Sequence, residues 1–261
     1  MTRTKLEWAK YIAGRGLGII PLHHTRADGS CTCGRPTKPS NPDDRVKGYD
    51  YCGSPGKHPK VDAWQNAAST DPSVIQDWFE SDPDMNYGCV AGDGSFILDI
   101  DVKDADGYDT ASRLLGVPTA ELDRVTFSVK TPSGGEHLYF TADKVYSNTV
   151  KTALGEGLDN RSGNGFVVGP GSMLHVPEEF EPDHFVPVSY EVVSEQDFTP
   201  LPDTIKSRMR EAMVRAANAQ ESEDPESIDS DDNVYLAREY LKAREPAVEG
   251  RGDRKSTRLN S

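Results

Sequence analysis

The sequence predicts an α+β domain, and three observations support that fold class. Helical and strand patterns follow one another without a steady strand–helix–strand rhythm, which disfavours a doubly wound parallel sheet. Two strand-like runs joined by a glycine-rich turn indicate an antiparallel hairpin between 125 and 141. Hydrophobic residues make up 35% of the 261 positions, which is enough to bury a sizeable core.

The N-terminal part predicts a helix, a strand and a long irregular stretch. Apolar residues at helical spacing predict an amphipathic helix over 4–14, and the apolar run at 17–22 predicts a buried strand. Residues 25–60 are rich in Gly, Pro, Asp, Lys and Cys and show no periodicity. A loop this long inside a compact domain needs a reason, and a metal ion that holds it together would be one.

The middle of the chain predicts several short elements. Asp71 and Pro72 suit the N-cap and first position of a helix. A strand is predicted at 96–101, and a helix is predicted over 106–115, closed by Gly116. Further strands are predicted at 125–131, 136–141, 166–168 and 186–193.

The C-terminal part differs in composition from the rest. A polar helix is predicted over 201–219, and 220–232 holds seven acidic and no basic residues, which predicts a disordered linker. Residues 233–253 restart a helical pattern and predict the start of a further domain. Residues 254–261 resemble a translated sequencing-adaptor read-through, so we expect a non-native tail and a truncated chain. The main domain is therefore expected over 1–200.

Charge is distributed unevenly along the chain. Residues 1–60 hold eleven Lys and Arg against five Asp and Glu, whereas the whole chain has a net charge of −14. A basic N-terminal part can meet phosphate groups, although basic residues also simply solvate a surface. No apolar run is long enough to span a membrane and no secretory signal is recognisable, so we expect the cytoplasm of a cell or of an infected host.

Asp99 and Asp101 are the first candidate catalytic residues. They stand two apart on the predicted strand at 96–101, whose other residues are apolar, so both carboxylates should share one face. Burying two unpaired carboxylates is costly, and a divalent ion such as Mg²⁺ would offset that cost. The alternative is an exposed strand end with solvated acids, which the nearby Asp104 and Asp106 favour.

The segment Thr131-Pro-Ser-Gly-Gly-Glu-His-Leu-Tyr-Phe140 is the second candidate. Gly134 and its neighbour let the backbone approach a ligand closely, and their N–H groups can face phosphate. Ser133 can donate a hydroxyl, and His137 opens the next predicted strand, where it can hydrogen-bond a triphosphate. The other interpretation is an ordinary glycine hairpin with a surface histidine.

A glycine-rich segment at 157–172 carries Asp159 and Arg161. Asp159 could complete a set of three carboxylates with the two of the strand. The guanidinium of Arg161 could hold phosphate through its several donors. The other interpretation is an Asp–Arg surface pair in a glycine-rich loop.

The irregular stretch contains candidate zinc ligands. Thiolates and imidazole hold zinc in tetrahedral structural sites, and cysteines of a cytosolic chain seldom form disulfides. The candidate ligands are Cys31, Cys33, Cys52 and His58. His23 and His24 are rival ligands, whereas Cys89 beside an apolar run is typical of a small buried hydrophobe.

In their order along the chain, these motifs resemble the bifunctional primase-polymerase domain of the archaeo-eukaryotic primase superfamily, found in phage and plasmid replication proteins. The family's strand ending in Asp-x-Asp or Asp-x-Glu is similar to 97–101, and its Ser-Gly-Gly-x-His-x-Tyr-Phe motif is similar to 133–140. Its acidic residue before an Arg resembles 158–161. Gly56-Lys-His-Pro59 resembles a family segment near the substrate pocket. The resemblance covers residues 5–200.

The resemblance implies an RRM-like catalytic sheet with flanking helices, a zinc-stapled loop insertion and two-metal nucleotidyl transfer. Asp99, Asp101 and Asp159 would hold Mg²⁺ or Mn²⁺. Zinc would be structural, because four protein ligands leave no open position. The triphosphate would be bound by Ser133, Gly134, His137, Arg161 and Lys57.

The resemblance also implies the partners. These are nucleoside triphosphates and a single-stranded DNA template with its primer. The basic zinc-bearing segment at 25–60 would contact the DNA through phosphates, so binding should weaken with salt. Residues 245–252 look like the opening of the domain that follows in primase-helicase proteins, so a helicase or primase C-terminal domain is an expected partner lost by truncation.

Two other functions fit the same residues. A two-metal nuclease would use the same carboxylates, although the Ser-Gly-Gly-x-His segment favours a triphosphate over a nuclease water. A non-catalytic, zinc-stapled nucleic-acid-binding module would bind DNA normally after Asp99→Ala and would show no metal-dependent activity.

Overall fold

The computed structural model describes residues 3–39, 42–103, 105–146, 148, 153–163, 165–181 and 184–223. Residues 1–212 form one compact unit and residues 213–261 a second one. Of the second unit, the described part is the end of the last helix. The acidic segment at 224–232, the helical pattern at 233–253 and the tail at 254–261 lie outside the described residues.

The described part of the chain contains α-helices and mostly short strands. The helices are α1 (Lys5–Ala13), α2 (Trp64–Ala67), α3 (Pro72–Ser81), α4 (Gly107–Leu115) and α5 (Asp203–Glu223). The strands are β1 (Gly18–Leu22), β2 (Asn86–Val90), β3 (Ser95–Ile100), β4 (Phe127–Lys130), β5 (Glu136–Thr141), β6 (Leu158–Arg161), β7 (Phe166–Val168), β8 (Met173–Pro177), β9 (Phe185–Ser189), β10 (Glu191–Ser194) and β11 (Thr199–Pro200). None of these helices is both long and apolar enough to cross a bilayer.

The helices predicted over 4–14, from Asp71 and over 106–115 are confirmed, and their ends follow from local chemistry. The hydroxyl of Thr4 accepts from the backbone N–H of Glu7, whose carboxylate in turn accepts from the backbone N–H of Thr4. The carboxylate of Asp71 caps α3 by accepting from the backbone N–H of Ser73. Asp106 caps α4, and Gly116 ends it in the left-handed conformation with φ 70°.

The main sheet is antiparallel along the strand order β10-β4-β5-β3-β6, with β11 paired in parallel to β5. The predicted hairpin is confirmed, because β4 and β5 pair directly. The strand predicted at 96–101 becomes β3, which lies between β5 and β6. A smaller antiparallel sheet has the order β1-β2-β7, and β8 and β9 form a separate hairpin. The predicted α+β class is thus confirmed as a mixed α/β structure with antiparallel sheets.

Each face of the main sheet packs in a different hydrophobic core. One face contributes Ile97, Phe127 and Tyr139 to a core shared with α1, α3 and the small sheet. The other face packs with α4, the 3₁₀ helix Thr119–Arg124 and α5. Strand residues alternate between the two faces, so both faces of β3 are apolar except at Ser95, where the strand begins, and at Asp99. The site described below lies at this interruption of the first core.

Several strands differ from the sequence-based predictions. The strand predicted at 186–193 is two strands, because β9 pairs with β8 whereas β10 pairs with β4 at the edge of the main sheet. The glycine-rich segment that carries Asp159 contains strand β6. Strands β2 and β8 were not predicted, since short runs with few β-branched residues lack a strand pattern.

The stretch at 25–60 is irregular, as predicted. Its regular structure within the described residues is the short 3₁₀ helix Pro42–Asp44 and isolated bridges such as Leu22–Pro59 and Thr37–Cys52. It returns to the core at Pro59, where the chain pairs with the end of β1. The stretch therefore begins and ends against the same strand.

Candidate active site and candidate zinc centre

Three of the predicted site residues lie side by side across the main sheet. Asp99 on β3 is directly opposite His137 on β5 and directly opposite Asp159 on β6. Directly opposed residues of antiparallel strands point to the same face, so the three side chains form one row. Arg161 lies two residues beyond Asp159 and therefore extends from the same face. A carboxylate pair with a histidine and an arginine beside it is the centre of the site.

This row opens into a pocket of about 290 Å³ between the main sheet and β7. Six of the predicted site residues line it: Lys57, Asp99, Asp101, Ser133, His137 and Arg161. Asp159 and Gly134 are not among its lining residues, although Asp159 adjoins Asp99 across the strand pair. The structure thus gathers in one place residues that lie up to about a hundred positions apart in the chain.

The polar side chains of the row contact one another at long distances. His137 Nε2 lies 3.5 Å from Asp99 Oδ1, and Arg161 Nη2 lies 3.5 Å from Asp99 Oδ2 and 3.8 Å from Asp159 Oδ2. Charge-assisted hydrogen bonds are shorter, at about 2.7–2.9 Å. The Asp99 carboxylate is therefore held by its His137 and Arg161 neighbours at more than direct charge-assisted hydrogen-bond distance. Hard oxygen donors of this kind fit Mg²⁺ or Mn²⁺.

The sequence predicted Asp101 as the last residue of its strand. In the structure β3 ends at Ile100, and Asp101 lies just beyond it. Its backbone N–H donates to the carbonyl of Gly157 at 2.8 Å, and its carboxylate accepts from the N–H of Lys103. The carbonyl of Asp101 packs against Gly107 at the start of α4, where a Cβ would approach it to 2.3 Å. The position of Asp101 is thus fixed by its backbone, while its carboxylate remains in the pocket.

His137 is the most buried member of the row, with 5% of its surface exposed. Burial lowers the pKa of His137, against the opposing effect of Asp99, so the ring favours its neutral form. Its ring stacks on Tyr190, with centroids 5.8 Å apart and an angle of 28° between the planes. Within the described residues, Nδ1 of His137 is buried without a hydrogen-bond partner.

The turn between β4 and β5 supplies one wall of the pocket. The hydroxyls of Ser133 and Thr131 lie 3.0 Å apart, and both residues line the pocket. The N–H of Gly134 donates to the carbonyl of Thr131 at 3.0 Å, so this N–H is engaged within the turn. Ser133 therefore offers a hydroxyl to a ligand, whereas Gly134 contributes the shape of the turn.

Lys57 brings a positive charge to the pocket from the irregular stretch. The Lys57 side chain is exposed, but the protein atoms that surround its ammonium displace water and lower the pKa of Lys57, while Asp99 and Asp101 oppose that shift. Together with Arg161, it places two cations beside the carboxylates. A pocket with both charge types suits a metal-bound polyanion such as a triphosphate.

Sequence reasoning missed Tyr190 and the apolar residues of β7 that line the pocket. Tyr190 lies between β9 and β10, and its burial raises its pKa. Phe166, Val167 and Val168 belong to a strand predicted correctly but without a role at the site. No spacing along the chain could have shown these contacts, because they form only when β7 and the main sheet meet.

A second cluster lies in the irregular stretch. The four predicted zinc ligands, Cys31, Cys33, Cys52 and His58, have their donor atoms within 4.8 Å of one another. His58 Nε2 is 3.4 Å from the sulfur of Cys31 and 3.5 Å from the sulfur of Cys52. A tetrahedral zinc with Zn–S of about 2.3 Å and Zn–N of about 2.0–2.1 Å requires sulfur–nitrogen separations of about 3.5 Å. The donor set and its spacing fit a structural zinc ion.

The rival ligands belong elsewhere. His23 stacks on His58 and hydrogen-bonds the hydroxyl of Thr32, and His24 lies 3.8 Å from Asp82. Neither belongs to the cluster among the described residues. Cys89 is fully buried on β2, which confirms the prediction of a small buried hydrophobic residue. Burial also raises the pKa of its thiol.

Comparison with known protein families gives one match that covers most of the chain. The family model described as bifunctional DNA primase/polymerase, N-terminal (Prim-Pol), matches residues 9–204. No curated protein matches the chain in sequence. The matched span contains both the carboxylate row and the cysteine–histidine cluster.

Proposed function

Because the chain belongs to the bifunctional DNA primase/polymerase N-terminal family, we propose that it performs template-directed nucleotidyl transfer to a 3′-hydroxyl. The family implies primase or polymerase activity of the nucleotidyltransferase type and the use of a divalent metal. The observation that supports our proposal most directly is the row of Asp99, Asp159 and His137 across three neighbouring strands. In this row two carboxylates and an imidazole lie on one face of one sheet.

We assign the catalytic metals to three carboxylates, Asp99, Asp101 and Asp159. Asp99 and Asp159 are neighbours across β3 and β6, and Asp101 follows at the end of β3. Two divalent ions, when bound, would activate the attacking hydroxyl and stabilise the charge that develops on the leaving pyrophosphate. Mg²⁺ and Mn²⁺ both suit such oxygen donors.

The remaining pocket residues would bind and orient the triphosphate. Arg161 can hold phosphate oxygens through two parallel hydrogen bonds, and Lys57 adds a point charge. The neutral ring of His137 and the hydroxyl of Ser133 supply further hydrogen bonds. Gly134 shapes the turn that carries Ser133. Catalysis of this kind depends mainly on positioning and charge stabilisation.

The strand arrangement supports an RRM-like catalytic sheet. Strands β4, β5, β3 and β6 are neighbours in that order, all antiparallel, and helix α4 connects β3 to β4. RRM domains likewise use a four-stranded sheet to meet nucleic acid. In our proposal the row of Asp99 lies on the face of this sheet that meets the substrate.

We propose single-stranded DNA with a primer, and ribo- or deoxynucleoside triphosphates, as the partners of this site. The zinc-bearing segment at 25–60 holds seven Lys and Arg against four Asp and Glu, which favours contact with phosphate groups. A phage or plasmid replication role, with a helicase or primase C-terminal domain beyond this one, follows from the motifs described above and is part of the same proposal.

The proposal is tested by incorporation of labelled nucleotides on a primed single-stranded template with Mn²⁺ or Mg²⁺. The double variant Asp99→Asn, Asp101→Asn keeps the size of both side chains and removes their charge. We expect incorporation to fall by roughly 10³-fold or more, as with loss of other charge-stabilising groups. Omitting the primer then separates priming from extension.

Asp77→Asn is the matched control, because Asp77 is exposed on α3, outside the pocket-lining set. It should leave incorporation unchanged. No incorporation by the folded, zinc-loaded chain with any metal or template would refute the polymerase proposal. Metal-dependent loss of labelled DNA in the same reactions would favour a nuclease instead.

A further inference from the structure

One tripeptide, Gly56-Lys57-His58, belongs to both the zinc cluster and the catalytic pocket. His58 is a member of the Cys₃His cluster, whereas its neighbour Lys57 lines the pocket with Asp99. Lys57 and His58 are adjacent residues of a turn, and their side chains belong to different sites, so one short segment serves both sites. The position of Lys57 therefore depends on the contacts that hold the backbone at Gly56 and at His58.

The N-terminal side of Lys57 is fixed at Gly56. The N–H of Gly56 donates to the sulfur of Cys31 at 3.4 Å, so a zinc ligand also holds this backbone. Its carbonyl accepts from the side-chain amide of Asn86 at 3.0 Å. Gly56 has φ +71°, and a Cβ there would approach Leu174 to 2.7 Å, so a larger residue would be strained and crowded.

Asn86 ties this turn to the rest of the molecule. It is fully buried on β2, and its amide also donates to the carbonyl of Met173 at 2.8 Å while its oxygen accepts from the N–H of Met173 at 2.9 Å. All three hydrogen bonds are made to backbone groups, which leaves the side chain one orientation. The amide thus connects the loop of Lys57 to β2 and β8.

The C-terminal side of Lys57 is fixed against β1. The carbonyl of His58 accepts from the N–H of His23 at 3.0 Å, and the N–H of Lys60 donates to the carbonyl of Pro21 at 3.0 Å. Pro59 pairs with Leu22 as an isolated bridge. A zinc ion would tie the thiolates and the imidazole of the cluster together, and it would add to these backbone contacts as a restraint on Lys57.

We propose that the Cys₃His cluster and Asn86 are a positioning device for Lys57, so that zinc binding at one site strengthens triphosphate binding at the other. The inference rests on the proposed function, because it takes the triphosphate as the ligand of Lys57. A lysine side chain is long and flexible, and its contribution to binding depends on how well its backbone is held. Coupling between two binding sites is reciprocal, so the triphosphate must also strengthen zinc binding by the same factor.

The experiment measures the affinity for a fluorescent, non-hydrolysable deoxynucleoside triphosphate in excess Mg²⁺. Wild type and Lys57→Met are compared, each zinc-loaded and after treatment with a zinc-selective chelator. We expect chelation to weaken triphosphate binding about tenfold in wild type and to leave the already weaker Lys57→Met variant unchanged, since its lysine contact is absent. Asn86→Ser should weaken binding in the zinc-loaded protein without further loss in the Lys57→Met background.

The reciprocal measurement needs no catalysis. Zinc affinity is determined by chelator competition with and without the same triphosphate analogue, and the analogue should tighten zinc binding about tenfold in wild type only. An equal loss of triphosphate binding in wild type and Lys57→Met on chelation would mean that zinc only maintains the fold, and it would overturn the inference. Triphosphate binding of equal strength with and without zinc would overturn the inference while leaving the proposed function intact. No triphosphate binding by the zinc-loaded wild type would overturn both.

Discussion

At the residue scale, the turn that carries Ser133 is hydrogen-bonded to Tyr108, which also contacts the buried carboxylate of Glu136. Glu136 precedes His137 and therefore faces the other side of the sheet, where 4% of its surface is exposed. The hydroxyl of Tyr108 lies 3.3 Å from the Glu136 carboxylate and 3.1 Å from the carbonyl of Gly134, and Lys130 donates to that hydroxyl at 2.6 Å. Burial raises the pKa of Glu136, while Ser128, Lys130 and Tyr108 oppose the shift.

This pKa shift predicts a pH-dependent stability that Glu136→Gln should remove. Because the folded-state pKa of Glu136 lies above its ordinary value of 4.5, the unfolded chain releases this proton first as the pH rises. Wild type therefore loses stability relative to the always-neutral glutamine variant as the pH passes upward from 4.5. Urea unfolding of both proteins between pH 4.5 and 7.5 measures the difference. Parallel stability curves would contradict the raised pKa.

At the element scale, the start of helix α4 fixes the end of β3. Gly107 is fully enclosed there, because a Cβ would approach the carbonyl of Asp101 to 2.3 Å and that of Gly157 to 2.6 Å. The same two residues are joined by the hydrogen bond from Asp101 to Gly157. The first residue of α4 and Asp101, which we propose as a metal ligand, therefore share one close backbone contact.

Gly107→Ala should consequently damage both stability and activity. The added methyl group must push α4 away from Asp101, which we expect to cost about 1–3 kcal/mol of unfolding free energy, as in other overpacked sites. Metal-dependent incorporation should fall as well, because Asp101 moves with its carbonyl. Gly92→Ala is the control, since the nearest atom to its Cβ would be 4.0 Å away. Equal stability of the two alanine variants, measured by urea unfolding, would show that the contact can relax.

At the scale of the whole molecule, the main sheet lies between two hydrophobic cores. The first core joins the main sheet to α1, α3 and the small sheet, and the site opens at its rim. The second core is completed by the chain after β11, where Leu201, Ile205 and Met209 are buried beneath the other face. The start of α5 is thus part of the folded core.

A comparison of two shortened chains tests this role of α5. A chain that ends at 200, the domain boundary expected from the sequence, lacks the three buried side chains, whereas a chain that ends at 223 keeps them. Each buried aliphatic side chain contributes about 1.5–3 kcal/mol, so the shorter chain should lose roughly 5 kcal/mol or more of unfolding free energy. Chemical denaturation followed by tryptophan fluorescence measures this. Coincident transitions of the two chains would contradict the contribution of Leu201, Ile205 and Met209.

Local chemistry determined the elements that the sequence predicted well. The caps Thr4, Asp71 and Asp106 act within three residues of themselves, so they can be recognised without knowing the fold. The Asp99-x-Asp101 and Ser133 to His137 motifs were recognised in the same way, and both reach the pocket. The zinc ligands were identified by residue type and by the irregular stretch that contains them, and their donor atoms converge.

Only the tertiary structure decided how these motifs meet. Asp159 and Arg161 reach the site because β6 pairs with β3 in a register that places Asp159 opposite Asp99, and no local pattern specifies a register between distant strands. The division of 186–193 into two strands, with Tyr190 between them, likewise depends on partners far away in the chain. The sequence by itself therefore determined which residues carry the chemistry. The long-range pairing of strands, driven by burial of both faces of β3, decided where those residues stand relative to one another.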